Sequence, residues 1–200
     1  MSFNSQVEKF SYAIGLSLAS NLLQSQIRTV DLESLFAAIT DIMEGKEPKI
    51  SPQLANQVIE EHFKTMQANQ GAINSKEGVS FLSKNKLKEG VVELKSGLQY
   101  KILTEGNGPK PKATDKVKCH YHGTLVDGTV FDSSVQRNQP AVFPVNGVIK
   151  GWIEALQLMP AGSKWRLFIP SNLAYGDQGA SGVIGPNATL IFDVELLEII

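Results

Sequence analysis

The chain has one cysteine, Cys119, so no disulfide can form within it. Neither sign of charge is in excess: 19 Lys and Arg stand against 20 Asp and Glu, and no basic stripe runs along any segment. A nucleic acid or an anionic membrane is therefore not an expected partner. No apolar run approaches the roughly 20 residues of a membrane-spanning helix. The opening residues, MSFNSQVEKF, lack the basic start and continuous apolar stretch of a secretory signal, which points to a cytoplasmic protein. No G-x-S-x-G elbow is present. The glycine-rich stretches NGVIKGW and YGDQGASGVIG lack the Lys and Ser/Thr of a phosphate loop. No cofactor is expected.

What is present is an ordinary globular balance, 42% hydrophobic and 20% charged over 200 residues, enough for one large domain or two small ones. Periodicity divides the chain. Up to residue 90 it is helical. Ser5 and Glu8 form a capping box, after which Val7, Phe10, Ile14, Leu18 and Leu22 make one apolar stripe and Tyr12, Leu16, Ala19 and Leu23 a second. A helix apolar on two sides must be buried on two sides. A second helix is expected over 31–44, with Leu32, Leu35, Phe36, Ile39, Ile42 and Met43 at helical spacing and Gly45 as its stop. Ser51 caps a third, with Pro52 in its first turn. Without a breaker until Glu89, this third helix is expected to run roughly 38 residues, or roughly 57 Å. It is weakened at Gly71 and Gly78, grows increasingly polar, and is expected to pack on little and bridge two bodies. Two and a half helices make a thin core, so a second copy of the chain is expected to complete it.

From Val91 the period becomes two. Leu98, Tyr100 and Ile102 alternate with Gln99 and Lys101, and Val117, Cys119 and Tyr121 alternate with Lys118, His120 and His122. Asp127-Gly128 marks a hairpin. Trp165, Leu167 and Ile169 form another strand face, as do Leu190, Phe192, Val194 and Leu196. One short helix fits near Ile149 to Leu158, with Trp152, Ala155, Leu156 and Met159 on its apolar side. The fold class is α+β, an antiparallel sheet curved over one helix. The expected organisation is a helical module over 1–50, a long helix over 51–90 and the β-rich domain over 91–200.

His120 and His122 share a strand face and are a possible metal pair, but that face opposes the apolar one and the third histidine, His62, lies in the distant helix. Solvent-facing histidines are expected. Cys119 points inward with Val117 and Tyr121, as a core residue. Tyr121, Phe131, Phe143, Trp152, Tyr175 and Phe192 come from separate elements and face inward or sit at loop edges. Among them are polar atoms that a plain core avoids, those of Asp132, Tyr121 and Tyr175. An apolar hole with a few fixed polar groups describes a small-ligand site. Asp132 is either a catalytic acid or base, or a structural charge paired with Arg137.

The stretches VKCHYHGTLVDGTVFDSS, VNGVIKGWIEALQLMPAGSKWRLFIP, LAYGDQG and GPNATLIFDVELLEI resemble the FKBP-type peptidyl-prolyl cis-trans isomerases, the drug-binding immunophilins, over about Val91 to Ile200. The helical half resembles, in pattern, the dimerisation module of the bacterial macrophage-infectivity-potentiator-like subgroup. The resemblance implies rotation about X-Pro bonds in an aromatic pocket. Trp152 would be its floor and Tyr121, Phe131, Asp132, Val148, Ile149, Tyr175 and Phe192 its walls, with Phe143 behind, Val183 and Ile184 as further wall positions, and Arg137 engaging Asp132 and a tyrosine. The Ile149 N–H and the Tyr175 hydroxyl would donate to substrate. It further implies a homodimer, unfolded or proline-containing polypeptides as substrates, and the macrolides rapamycin and tacrolimus as inhibitors. A chaperone-like module for unfolded chains, with isomerisation secondary, is the competing expectation. Two positions depart from the family: Ala141, often aromatic, and Ala180, often histidine in eukaryotic members. Both thin the rim.

Overall fold

The computed structural model describes residues 3–25, 27–180 and 182–200, which form two compact units, 1–59 and 60–200. The first holds α1 (Gln6–Gln24), α2 (Leu32–Met43) and the start of α3 (Pro52–Asn85). Each begins where a side-chain oxygen meets an orphan amide. Ser5 Oγ accepts the Glu8 N–H at 3.1 Å and Ser51 Oγ the Leu54 N–H at 3.2 Å. Asp31, expected inside α2, stands before it and accepts the Ser34 N–H at 2.8 Å. The capping box is displaced by one residue, because the Glu8 carboxylate takes the N–H of Asn4, not of Ser5. Gly45, at φ +67°, carries the chain away from α2 in a conformation only glycine enters without cost. Neither α1 nor α2 buries a residue within the chain: Phe10 is 65% exposed and Phe36 59%.

Helix α3 has 34 residues, roughly 51 Å at 1.5 Å each, and stops at Asn85, four residues before the expected end. Gly90, at φ +77°, turns the chain into β1. The expectation that its polar half packs on little is wrong. From Glu60 onward it belongs to the second compact unit. Gly71 and Gly78, expected only to weaken the helix, are buried there. A Cβ on Gly78 would lie 2.3 Å from Thr189 Oγ1, and one on Gly71 3.2 Å from Pro186 Cβ. The helix approaches that closely because these two positions lack side chains.

The second unit is an antiparallel sheet of seven strands among the described residues: β1 (Val91–Glu93), β2 (Gln99–Thr104), β3 (Lys116–Leu125), β4 (Val130–Ser133), β5 (Ala141–Pro144), β6 (Lys164–Ile169) and β7 (Leu190–Ile199). Their order is β1-β2-β6-β7-β3-β4, with β5 also on β3. At the β3–β4 turn Gly128 has φ +88°, and the Asp127 carboxylate accepts the Thr129 N–H at 2.9 Å. One short helix, α4 (Lys150–Leu156), supplies Trp152, Ala155 and Leu156, with Met159 just beyond. All are buried with Val117, Cys119, Leu167, Val194 and Leu196.

Period-two reading misassigned β2. Gln99, expected on the solvent side, is fully buried: Asn85 donates to its Oε1 at 3.0 Å, and its Nε2 donates to the Leu82 carbonyl and to Glu93, both at 3.0 Å. Phe168, on paired β6, is buried against Phe81, with ring centroids 5.9 Å apart. Both residues lie under α3, so this sheet face is covered. Ile102, expected inward, is exposed.

Candidate functional site

A cavity of about 670 Å³ is lined by Tyr121, Phe131, Asp132, Phe143, Gly147, Val148, Ile149, Trp152, Tyr175, Ala180, Ile184 and Phe192. Helix α4 supplies its floor. Gly151 lets that helix lie against β6, since a Cβ there would stand 2.5 Å from Ile169 Cγ2. The next residue, Trp152, is then buried, with Tyr121, Phe143 and Phe192 edge-on around it at centroid distances of 5.6, 5.8 and 5.3 Å. Interplanar angles of 81–83° are the arrangement in which ring edges meet ring faces favourably. Phe131 meets Phe192 in the same way at 5.3 Å. Gly123 on β3 makes room for that pair, because a Cβ would fall 2.7 Å from one ring and 2.8 Å from the other.

The polar atoms of the wall are held from several sides. Buried Ser134 accepts the Tyr121 N–H at 2.7 Å and donates to its carbonyl at 3.2 Å. The Tyr121 hydroxyl donates to Asp132 Oδ2 at 2.5 Å, and Arg137 bonds both Asp132 Oδ1 and, at 2.9 Å, the Tyr121 oxygen. Burial pushes the Asp132 carboxyl up, but the hydrogen bonds from Tyr121 and Arg137 and the guanidinium charge outweigh it, so the group lies below its ordinary value of 3.8. Burial, and then the bond to Asp132, push Tyr121 above its ordinary 10.0. Asp132 is thus an anion with both oxygens occupied, beside a phenol that stays protonated.

Two donors at the cavity have no such partner. The Ile149 carbonyl accepts from Trp152 and Ile153 at the start of α4, but no hydrogen bond among the described residues uses the Ile149 N–H or the Tyr175 hydroxyl. The indole Nε1 of Trp152 is buried and also unpartnered.

Of the residues expected at the site, eleven of twelve come together here: ten on the cavity wall and Arg137 bonded to two of them. Val183 does not; it is 49% exposed and absent from the lining, while its neighbour Ile184 faces in. In an irregular loop, adjacent residues need share no face. Gly147, Gly123 and Ser134 were not foreseen. Gly147 was visible in the VNGVI turn, whereas the roles of Gly123 and Ser134 depend on cross-strand neighbours.

Three other reactive side chains, Cys119, His120 and His122, are engaged elsewhere in the fold. Burial pushes the Cys119 thiol up to about 12, so it stays protonated. His120 and His122, expected to face solvent, are half-buried, with Nδ1 atoms 3.1 Å from Ser134 Oγ and 3.0 Å from Ser133 Oγ. No cluster of three metal-ligating side chains occurs among the described residues. The site offers an apolar, aromatic-floored hole, one fully engaged anion and, besides the buried Trp152 indole, two donors without a partner among the described residues.

Two family models match the chain: the domain amino-terminal to FKBP-type peptidyl-prolyl isomerases over residues 7–102, and the FKBP-type peptidyl-prolyl cis-trans isomerase domain over 108–197. The chain is 48% identical to the FKBP-type 22 kDa peptidyl-prolyl cis-trans isomerase of Escherichia coli, over 95% of this chain and 94% of the relative. It is 42% identical to the outer membrane protein MIP of Legionella longbeachae, over 99% and 88%. The crystal structure of FkpA from Escherichia coli superposes with a TM-score of 0.76 at 34% identity, covering 99% of this chain and 98% of that one. With this relatedness spanning both helical and β-rich halves, and an aromatic cavity where the isomerase domain should have one, the chain belongs to the FKBP-type peptidyl-prolyl cis-trans isomerases and rotates X-Pro bonds.

Proposed function

We propose that catalysis here is non-covalent and transfers no proton. The observation that carries this is the contrast inside the cavity: its one carboxylate has both oxygens engaged, while the Ile149 N–H and Tyr175 hydroxyl have no partner among the described residues. Rotation about X-Pro is opposed by amide resonance, with a barrier of ~18–20 kcal/mol and uncatalysed times of tens to hundreds of seconds. The planar amide is the more charge-separated form and loses water's support in an aromatic hole. The twisted form, with the lone pair returned to the prolyl nitrogen, loses less, so the hole favours it. The Ile149 N–H and the Tyr175 hydroxyl hold carbonyl oxygens of the bound peptide, and Asp132 shapes the field from the wall. Lowering the barrier by ~6 kcal/mol gives a roughly 10⁴-fold acceleration. The test is a protease-free isomerisation assay on a short X-Pro peptide across pH. A flat profile between about pH 6 and 8 supports the reading, and a bell with its limbs in that range overturns it.

A second part of the reading concerns the helices. α1 and α2 bury no residue fully within the chain, most of both α1 stripes is exposed, and Leu16, Leu18, Leu22, Leu35 and Phe36 line an open groove of about 510 Å³. Apolar surface on this scale supports pairing with a second copy, giving a homodimer through the first unit. The chaperone-like reading rests on the same surface, which also suits unfolded chains. Rapamycin and tacrolimus, whose pipecolyl rings resemble proline, are proposed as competitors for the cavity. Sedimentation of the full chain, together with activity on a short peptide and on an unfolded protein, separates these readings.

A further inference from the structure

The described residues of the loop 174–189 bring Tyr175, Ala180 and Ile184 to the cavity and pair with no strand. Four of its residues stand at positive φ: Gly176, Gly179, Gly182 and Asn187. Among its described residues three backbone bonds lie within it, one of them from the Ala188 N–H to the Gly185 carbonyl at 3.4 Å. The Ala180 N–H reaches the Ile184 carbonyl at 2.9 Å, and the Asn187 N–H reaches the Gly176 carbonyl at 2.8 Å. Such a segment has little of its own to hold one shape.

Support comes from α3. Asn74 Nδ2 donates to the Pro186 carbonyl at 2.7 Å, and no other donor among the described residues reaches that oxygen. The amide of Asn74 is oriented by Gln70, whose Nε2 donates to Asn74 Oδ1 at 2.8 Å, leaving the Asn74 NH₂ toward the loop. Buried Gly71, with Pro186 Cβ 3.2 Å from where its own Cβ would be, brings the helix close enough for this bond. From Pro186 the connection runs both ways. Ile184, on the cavity wall, is two residues earlier. Asn187, one residue later, is bonded to Gly176, which follows Tyr175. The Gln70–Asn74 pair therefore ends, through Pro186, on two wall residues of the cavity without touching it.

We propose that Asn74 is a positioning residue for the isomerase reaction, setting through Pro186 the loop that presents Tyr175 and Ile184 to the peptide. The inference rests on the proposed role of Tyr175 as a donor to substrate. Because Trp152 and Phe192 still bind the prolyl ring, loss of Asn74 acts on turnover more than on binding.

The experiment uses the full chain and a short X-Pro peptide. Asn74→Asp keeps the shape but sets an acceptor against the Pro186 carbonyl, and kcat should fall about fivefold while KM changes by less than about twofold. Gln70→Ala only frees the Asn74 amide to turn and should cost about twofold in kcat. Ser83→Ala, on the same helix but bonded only to the Val79 carbonyl, should leave both constants unchanged. In a Tyr175→Phe background the Asn74→Asp loss should shrink to less than about twofold, since the group it positions is gone. Unchanged kcat in Asn74→Asp overturns the proposal, as does an undiminished loss beside Tyr175→Phe where Tyr175→Phe itself lowers kcat. If Asn74→Asp does not fold, the same two readings are taken with Gln70→Ala. A Tyr175→Phe chain with wild-type kinetics refutes the donor role of Tyr175 alone; the cycle is then run with Ile184→Ala, where a loss that shrinks supports the positioning and an undiminished one overturns it.

Discussion

Asp132 sits among aromatic rings yet is arranged as an ion. Its folded value lies below 3.8, so the stabilisation from its bonds to Tyr121 and Arg137 is complete above the unfolded carboxylate value and is lost only as pH falls through the lower, folded one. Nothing in that pair changes between about pH 6 and 8. Asp132→Leu should lower kcat/KM about tenfold without abolishing it, because Trp152 and Phe192 still strip water from the prolyl amide. Kinetics of the purified variant across that range check both statements. Ala141 belongs to the same scale. It is half-buried and packs on the core from β5, outside the residues that line the cavity, whereas Ala180, the other expected rim position, does line it. If the proposed macrolide binding reaches over β5, Ala141→Phe should tighten rapamycin binding about tenfold through the added ring contact. Calorimetric titration reads this directly, and an unchanged Kd would make the rim irrelevant.

At the scale of elements, α3 shows how one residue type carries opposite meanings. In an isolated helix Gly78→Ala gains about 1 kcal/mol. Here the new methyl would meet Thr189 Oγ1 at 2.3 Å and Thr189 Cβ at 3.2 Å, and Thr189 is buried. Overpacking of this kind costs about 1–3 kcal/mol, so the net change should be destabilising. Denaturant unfolding of the variant should show a lower midpoint with an unchanged slope. A higher midpoint would mean that Thr189 moves aside freely. The alternation of β3, β6 and β7 was legible in the sequence, since one face of each is apolar and buried. That of β2 was not, because Gln99 is polar in its own strand and becomes a buried residue only when α3 supplies Asn85 and the Leu82 carbonyl.

At the scale of the whole molecule, the place to divide the chain is set by packing. A fragment 60–200 keeps Phe81 on Phe168 and Asn85 on Gln99. It should be a folded monomer that isomerises a short peptide about as well as the full chain. A fragment 91–200 uncovers Phe168 and takes from Gln99 its Asn85 donor and the Leu82 carbonyl, leaving it Glu93, and should be less stable by roughly 3–5 kcal/mol from lost apolar burial and unmade hydrogen bonds. Thermal melts of the two fragments decide it; equal stability would show that the second half of α3 is dispensable. The full chain, at 21.8 kDa, should sediment at about twice that mass if the first unit pairs with a second copy. Leu18→Glu or Leu22→Glu places a charge in the open groove that both residues line. Either should weaken the dimer by at least about 3 kcal/mol, roughly a hundredfold in Kd. On an unfolded protein the monomeric forms should lose more activity than on a tetrapeptide, because two linked pockets act at raised local concentration.

The sequence by itself determined the α+β class, most of the elements and, through the motifs that resemble the family, most of the cavity wall. Apolar period, caps and turn glycines are local signals, and Trp152, Tyr121, Phe131 and Phe192 stand inside ordered motifs that permit few arrangements. Only the tertiary structure decided what α3 does. A buried glycine, a satisfied glutamine and an asparagine aimed at a distant carbonyl have no local pattern; each acquires its meaning from a partner remote in the chain, Gly78 from Thr189, Gln99 from Asn85 and Asn74 from Pro186. Polar and side-chain-free positions are placed by their neighbours, whereas apolar ones are placed by water, and water is the same everywhere along the sequence.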